Sequence, residues 1–131
     1  MTARPSALKR RTFGKIRQAS QPPPPVDHHN VYVVLLAPAG GKIRKVLLAN
    51  PLRNPKSPVV YVGLTGLTPK ERFANHKQGI KSSALVRRYG IRLLPELYAH
   101  LNPMPYEAAA QMEKDLTDDL RRAGYTVIGG H

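Results

Sequence analysis

Cysteine is absent from this chain. That excludes disulfides and cysteine-bound zinc, and leaves oxygen or imidazole to hold any metal. Acidic residues are scarce: eight Asp and Glu stand against 21 Lys and Arg, a formal net charge of +13. Such an excess favours polyanionic partners, DNA first, RNA less so, and an anionic membrane surface least. No apolar run approaches the roughly 20 residues that cross a bilayer, and the basic N-terminus lacks the apolar segment of a secretory signal. These absences predict a soluble cytoplasmic protein that makes no membrane contact. With 131 residues there is room for one small domain and none for a separate recognition domain.

What is present centres on Val59-Val60-Tyr61-Val62-Gly63-Leu64-Thr65-Gly66-Leu67-Thr68-Pro69-Lys70-Glu71-Arg72-Phe73-Ala74-Asn75-His76-Lys77. The β-branched and aromatic residues at 59–62 predict a strand. Gly63 and Gly66 permit a tight turn or a close backbone approach. Thr68 as N-cap, Pro69 at the first helical position and Glu71 completing a Thr-x-x-Glu capping box mark a helix start. That helix carries Arg72 and His76 at i and i+4, on one face. A strand tyrosine beside a fixed cation and an imidazole has the chemistry to handle phosphate.

On these residues the chain resembles the GIY-YIG nucleases. Tyr61-Val62-Gly63 matches the second half of their motif, Arg72 their helix arginine, and His76 the histidine or tyrosine four residues later. Val31-Tyr32 stands for the first half, with Asn30 where the family has glycine. Glu113 is the best match for the family's metal-binding glutamate, and Leu64 stands where some members carry a lysine. The resemblance spans roughly residues 31–128, with an inserted loop or hairpin between Tyr32 and Tyr61. It implies a catalytic set of Tyr32, Tyr61, Arg72, His76 and Glu113, with a single Mg2+ or Mn2+ on Glu113. Tyr32 would orient or deprotonate the attacking water, with Tyr61 and His76 positioning it or relaying its proton.

The rest of the chain fits around this centre. Residues 1–26 form a basic arm, with six cations, no acid, and a run of four prolines at its end, a composition that predicts disorder. The arm either grips nucleic-acid backbone or serves only as a solubilising extension. Taking its six charges from the net +13 leaves +7 on residues 27–131, so the domain is itself basic. Val31–Leu36 reads as a central strand, preceded by Asp27-His28-His29, where adjacent histidines of an extended segment point to opposite sides. Lys42–Leu48 reads as a possible returning strand, followed by a proline-punctuated loop that either contacts substrate or merely connects.

Beyond the centre, a short helix is expected over Ser82–Tyr89, ending at Gly90. Lys70, Lys77, Lys81, Arg87 and Arg88, with Gly63 at the turn, are the candidate substrate-binding residues, the cations forming a basic wall suited to phosphates. The stretch from Leu93 to Leu101 is ambiguous between helix and strand. The longest helix is expected over Pro105–Ala123, burying Ala109, Met112, Leu116 and Leu120, with Glu113 bordering that stripe. Glu107 is the competing acid, placed where a helix dipole favours one. Tyr125–Ile128 reads as a last strand, and His131 has no assignable role.

The expected fold is α+β: a small, mainly antiparallel three-stranded sheet flanked by helices, with the inserted segment between its first two strands. The expected function is metal-dependent endonucleolytic hydrolysis of DNA by a monomer or a homodimer. The alternatives are a catalytically inactive nucleic-acid-binding module of the same fold, and a basic RNA-associated structural protein.

Overall fold

Six consecutive apolar residues, Val31 to Leu36, build strand β1 (Asn30–Leu36) at the interior of a four-stranded sheet. Residues on both of its faces, Val31 and Val33 on one, Tyr32 and Val34 on the other, are essentially inaccessible to solvent, so the sheet is covered on both sides. The computed structural model describes residues 26–129. The basic arm, apart from Val26, and His131 lie outside the described residues.

In chain order the elements are β1, helix α1 (Arg44–Ala49), β2 (Val59–Thr65), α2 (Pro69–Gln78), α3 (Ala84–Tyr89), β3 (Gly90–Leu93), α4 (Tyr106–Arg122) and β4 (Thr126–Gly129), with short 3-10 turns between. The spatial order is β3-β1-β2-β4. β1 runs antiparallel to β2 and β3, whereas β4 lies parallel to β2. The architecture is therefore α+β, but the sheet is four-stranded and mixed rather than three-stranded and mainly antiparallel. β4 is parallel because α4 provides the crossover that such a pairing needs.

The inserted segment is not a hairpin. Where Lys42–Leu48 was expected as a strand, Pro38–Lys42 forms a 3-10 turn and Arg44–Ala49 a helix. β2 and β3 occupy both edges of β1, so a strand at 42–48 would have had no partner beside it. The stop of α2 also follows local chemistry: Gly79 adopts φ +81°, the left-handed C-cap that glycine reaches without strain. At its start the capping box forms, Glu71 N–H donating to Thr68 Oγ1 at 3.1 Å and Thr68 N–H to Glu71 Oε1 at 3.0 Å.

Two asparagines pair with strands as if they were backbone. Asn102 bonds both the N–H and the C=O of Val31, at 2.9 and 2.7 Å. Buried Asn50 does the same to Val127, accepting from its N–H at 2.8 Å and donating to its C=O at 3.0 Å. Arg121 joins that pair, donating to Asn50 Oδ1 and to the Val127 carbonyl. The insertion is thereby fastened to the edge strand β4. Asn50→Ala should cost about 2–3 kcal/mol, because a buried N–H and part of a guanidinium lose their acceptor. A urea midpoint that shifts by less than the equivalent of about 0.5 kcal/mol would show the network to be ornamental. Among the described residues, no helix is long and apolar enough to cross a membrane.

Candidate active site

The β1–β2 register sets Tyr32 opposite Gly63 and Val34 opposite Tyr61. Side chains alternate along a strand, so both tyrosines and Gly63 share one face. The glycine is required there: a Cβ on Gly63 would lie 2.7 Å from Tyr32 Cζ and Oη. The space above Gly63 is filled by the Tyr32 ring rather than left open for substrate.

Helix α2 brings His76 against that ring. His76 is fully buried, with Nε2 2.8 Å from Tyr32 Oη. Its Nδ1 accepts the Ser83 backbone N–H at 3.0 Å. An acceptor at Nδ1 carries no proton, so in the neutral ring the proton sits on Nε2 and is donated to Tyr32. A second proton on the ring would face the Ser83 N–H head-on. Burial first and the Arg72 charge second push His76 down to about 4. Ser83 was legible in the sequence only as part of a helix start; it is the N-cap of α3, its Oγ accepting from Val86 N–H. Its second role, fixing the imidazole, depends on a contact that spacing does not reveal.

Arg72 is held by two carbonyls of the α2–α3 turn, Ile80 at 3.3 Å and Lys81 at 2.8 Å. Lys81 occupies the left-handed region at φ +46° in that turn. The guanidinium also hydrogen-bonds Tyr32. Tyr32 thus accepts from His76 and Arg72, leaving its own proton for the Tyr61 hydroxyl, with which it is also hydrogen-bonded. Donors run one way, from Ser83 through His76 and Tyr32 to Tyr61.

The two phenols differ in exposure. Tyr32 is 1% exposed, while Tyr61 is half-buried. Burial, then the neighbouring Tyr61, raises Tyr32 far above an ordinary phenol, against the lowering effect of Arg72. Burial also raises Tyr61; Arg72 and the bond from Tyr32 oppose it, and the Glu113 carboxylate adds to it. The Tyr61 and His76 rings meet edge to face at 5.6 Å, and the two tyrosine rings lie 6.2 Å apart.

Glu113 lies on the sheet-facing side of α4 at 5% exposure. The buried line of that helix is Ala109, Glu113, Thr117 and Leu120, while Met112 and Leu116 are only half-buried. Glu113 is thus inside the packed stripe rather than bordering it. Thr117 Oγ1 donates to the Glu113 main-chain carbonyl at 2.8 Å. Among the described residues no group of three or more His, Asp and Glu could hold a metal. One inward carboxylate still fits magnesium or manganese, which bind through one or two carboxylates, retained water and substrate phosphate. Glu107 is exposed on the first turn of α4. The His28 and His29 rings pack at 4.5 Å, contrary to the opposed arrangement expected of an extended pair.

The predicted basic wall is only partly assembled. Lys77 Nζ donates to the carbonyls of Arg87 at 3.0 Å and Gly90 at 2.9 Å, closing the C-terminal end of α3. Arg88 lies over the Tyr89 ring at 5.3 Å. Lys70, Lys81 and Arg87 are exposed. In comparisons with known proteins, no family model, curated protein or solved structure matches the chain.

The buried imidazole makes a pH prediction. The ordinary histidine value is 6.5 and that of folded His76 about 4. Below pH 6.5 the unfolded chain takes up a proton that the folded one refuses. Stability present above pH 6.5 is therefore lost as pH falls toward 4, by about 3 kcal/mol in all. Urea midpoints at pH 7, 6 and 5 should fall more steeply for the wild type than for His76→Gln. Parallel profiles would mean that His76 titrates normally.

Proposed function

We propose that the chain is a metal-dependent endonuclease that hydrolyses DNA phosphodiester bonds at a site of the GIY-YIG kind. The observation that carries this reading is the one-way donor chain through His76 and Tyr32 to Tyr61, beside Arg72 and a buried carboxylate. A packing cluster has no need of a glutamate on the sheet-facing side of a helix, where burying a charge is costly. In a protein this basic, a carboxylate beside bound phosphate would repel it unless a cation intervened.

Roles follow from exposure and bond direction. Tyr61, the half-buried phenol, is the one that reaches an attacking water. Its phenolate would be steadied by the proton of Tyr32 and the charge of Arg72, and would take the water's proton. Tyr32 is too buried to meet water itself, so it serves as the link between Tyr61 and His76. Neutral His76 positions Tyr32 and does not shuttle charge. The Arg72 fork would stabilise negative charge developing on the phosphoryl oxygens. Glu113 would hold magnesium or manganese, which supplies polarisation of the scissile phosphate and stabilisation of the leaving oxygen. A cytoplasmic location is part of the same proposal.

The test is nicking of supercoiled plasmid by the full chain with Mg2+ or Mn2+, abolished by EDTA. Failure to cut plasmid, branched DNA or RNA, with salt-sensitive binding intact, would replace the nuclease with a binding module.

A further inference from the structure

Residues 37–58, between β1 and β2, carry Lys42, Arg44, Lys45, Arg53 and Lys56 and no acid. Arg53 is occupied, donating to the carbonyls of Leu47 and Asn50 at 3.0 Å each. Lys42, Arg44, Lys45 and Lys56 are exposed. Among the described residues the ion pair formed is Arg122 with Asp119, on α4, so no carboxylate of the described residues neutralises these four. Leu48 and Leu52 stand among them at 69% and 64% exposure.

The segment is anchored at both ends of its course. A Cβ on Gly41 would lie 2.8 Å from the Val59 side chain, so this backbone is pressed against the start of β2. Asn50 fastens the other end to Val127. Val59 is two residues from Tyr61, about 7 Å along a strand. The four cations are thus held at a fixed position near the end of the sheet that carries Tyr61, facing outward.

We propose that this insertion is a second nucleic-acid contact surface, gripping the sugar–phosphate backbone of a duplex beside the scissile phosphate. The choice of nucleic acid rests on the nuclease reading and on charge complementarity. A lipid surface is the poorer fit, because the six-residue α1 is too short to present the broad apolar face of an interfacial helix. Backbone contacts of this kind set register without reading sequence.

The experiment measures binding of a fluorescent 30-bp duplex by full-length Glu113→Gln protein across a salt series. It compares that background with one in which Lys42, Arg44, Lys45 and Lys56 are all alanine. Each phosphate contact contributes about 0.9 to the slope of log K against log salt, so the slope should fall by about 3. Affinity at 0.15 M salt should drop at least tenfold, while a variant exchanging Lys for Arg and Arg for Lys at the same positions keeps both. Unchanged slope and affinity in the alanine variant would overturn the proposal. So would an effect confined to phosphatidylserine vesicles with duplex binding intact. Loss of plasmid nicking in the wild type with the slope change preserved would sink the nuclease and leave this surface standing.

Discussion

Glu113→Gln should slow plasmid nicking at least 1,000-fold while leaving duplex binding equal to or tighter than that of the wild type. The magnitude follows from the role proposed for Glu113: it is the only acid that the sequence and the fold together place beside Tyr61, and losing the cation removes several kcal/mol of charge stabilisation. The sign on binding follows from charge, since a neutral amide no longer repels phosphate. A second readout separates this role from a structural one. A metal that binds only the folded chain raises its stability by RT ln(1 + [L]/Kd), about 1 kcal/mol at fivefold excess over Kd. Mn2+ should therefore raise the thermal midpoint of the wild type and not that of Glu113→Gln. Equal midpoint shifts in the two proteins would place the metal elsewhere, and nicking within tenfold of the wild type would remove Glu113 from the reaction.

What could be read in the sequence was local. The start of α2 was legible because every part of its cap lies within four residues, Thr68 to Glu71. The pairing of Arg72 with His76 was legible for the same reason, being one helical turn. What was not legible depended on partners distant in the chain. Asn50 sits in a proline-rich loop, and nothing nearby shows that its amide closes on Val127, 77 residues away. Lys77 reads as a phosphate ligand until the carbonyls at the end of α3, ten and 13 residues on, claim its ammonium. The four residues of β3 carry too weak a pattern to announce a strand, and the parallel docking of β4 was decided by which sheet edge remained free.

Glu113 shows how the two kinds of information meet. Counting apolar residues put the buried stripe of α4 through Met112 and Leu116, with the acid at its border. The fold rotates that stripe so that Ala109, Glu113 and Thr117 face inward, one turn apart each. Apolar periodicity is blind to such a line because two of its members are polar. The signal that remained was the family resemblance at Glu113, and the burial of that carboxylate is what gives the resemblance physical content.

The pair of phenols divides the reaction in a way that a double comparison can expose. Tyr61→Phe should reduce kcat about 1,000-fold with little change in stability, since the lost hydroxyl lies on a half-buried ring and general-base contributions run from 100- to 10,000-fold. Tyr32→Phe should behave differently. It leaves buried His76 Nε2–H without its acceptor at 2.8 Å, a destabilisation of about 1–3 kcal/mol, and it lowers kcat by only about tenfold because Tyr61 still reaches the water. The pH profile supplies the sign. Burial holds Tyr61 above an ordinary phenol, so the phenolate is a small fraction at pH 7 and its population rises about tenfold per pH unit. Wild-type kcat/KM should climb between pH 7 and 9 without reaching a plateau, Tyr32→Phe should climb with it, and Tyr61→Phe should stay flat. If instead Tyr32→Phe is the flat, thousandfold-slower variant and Tyr61→Phe keeps the climb, the base is the buried phenol. The donor chain would then run toward Tyr32, with the imidazole in the other tautomer.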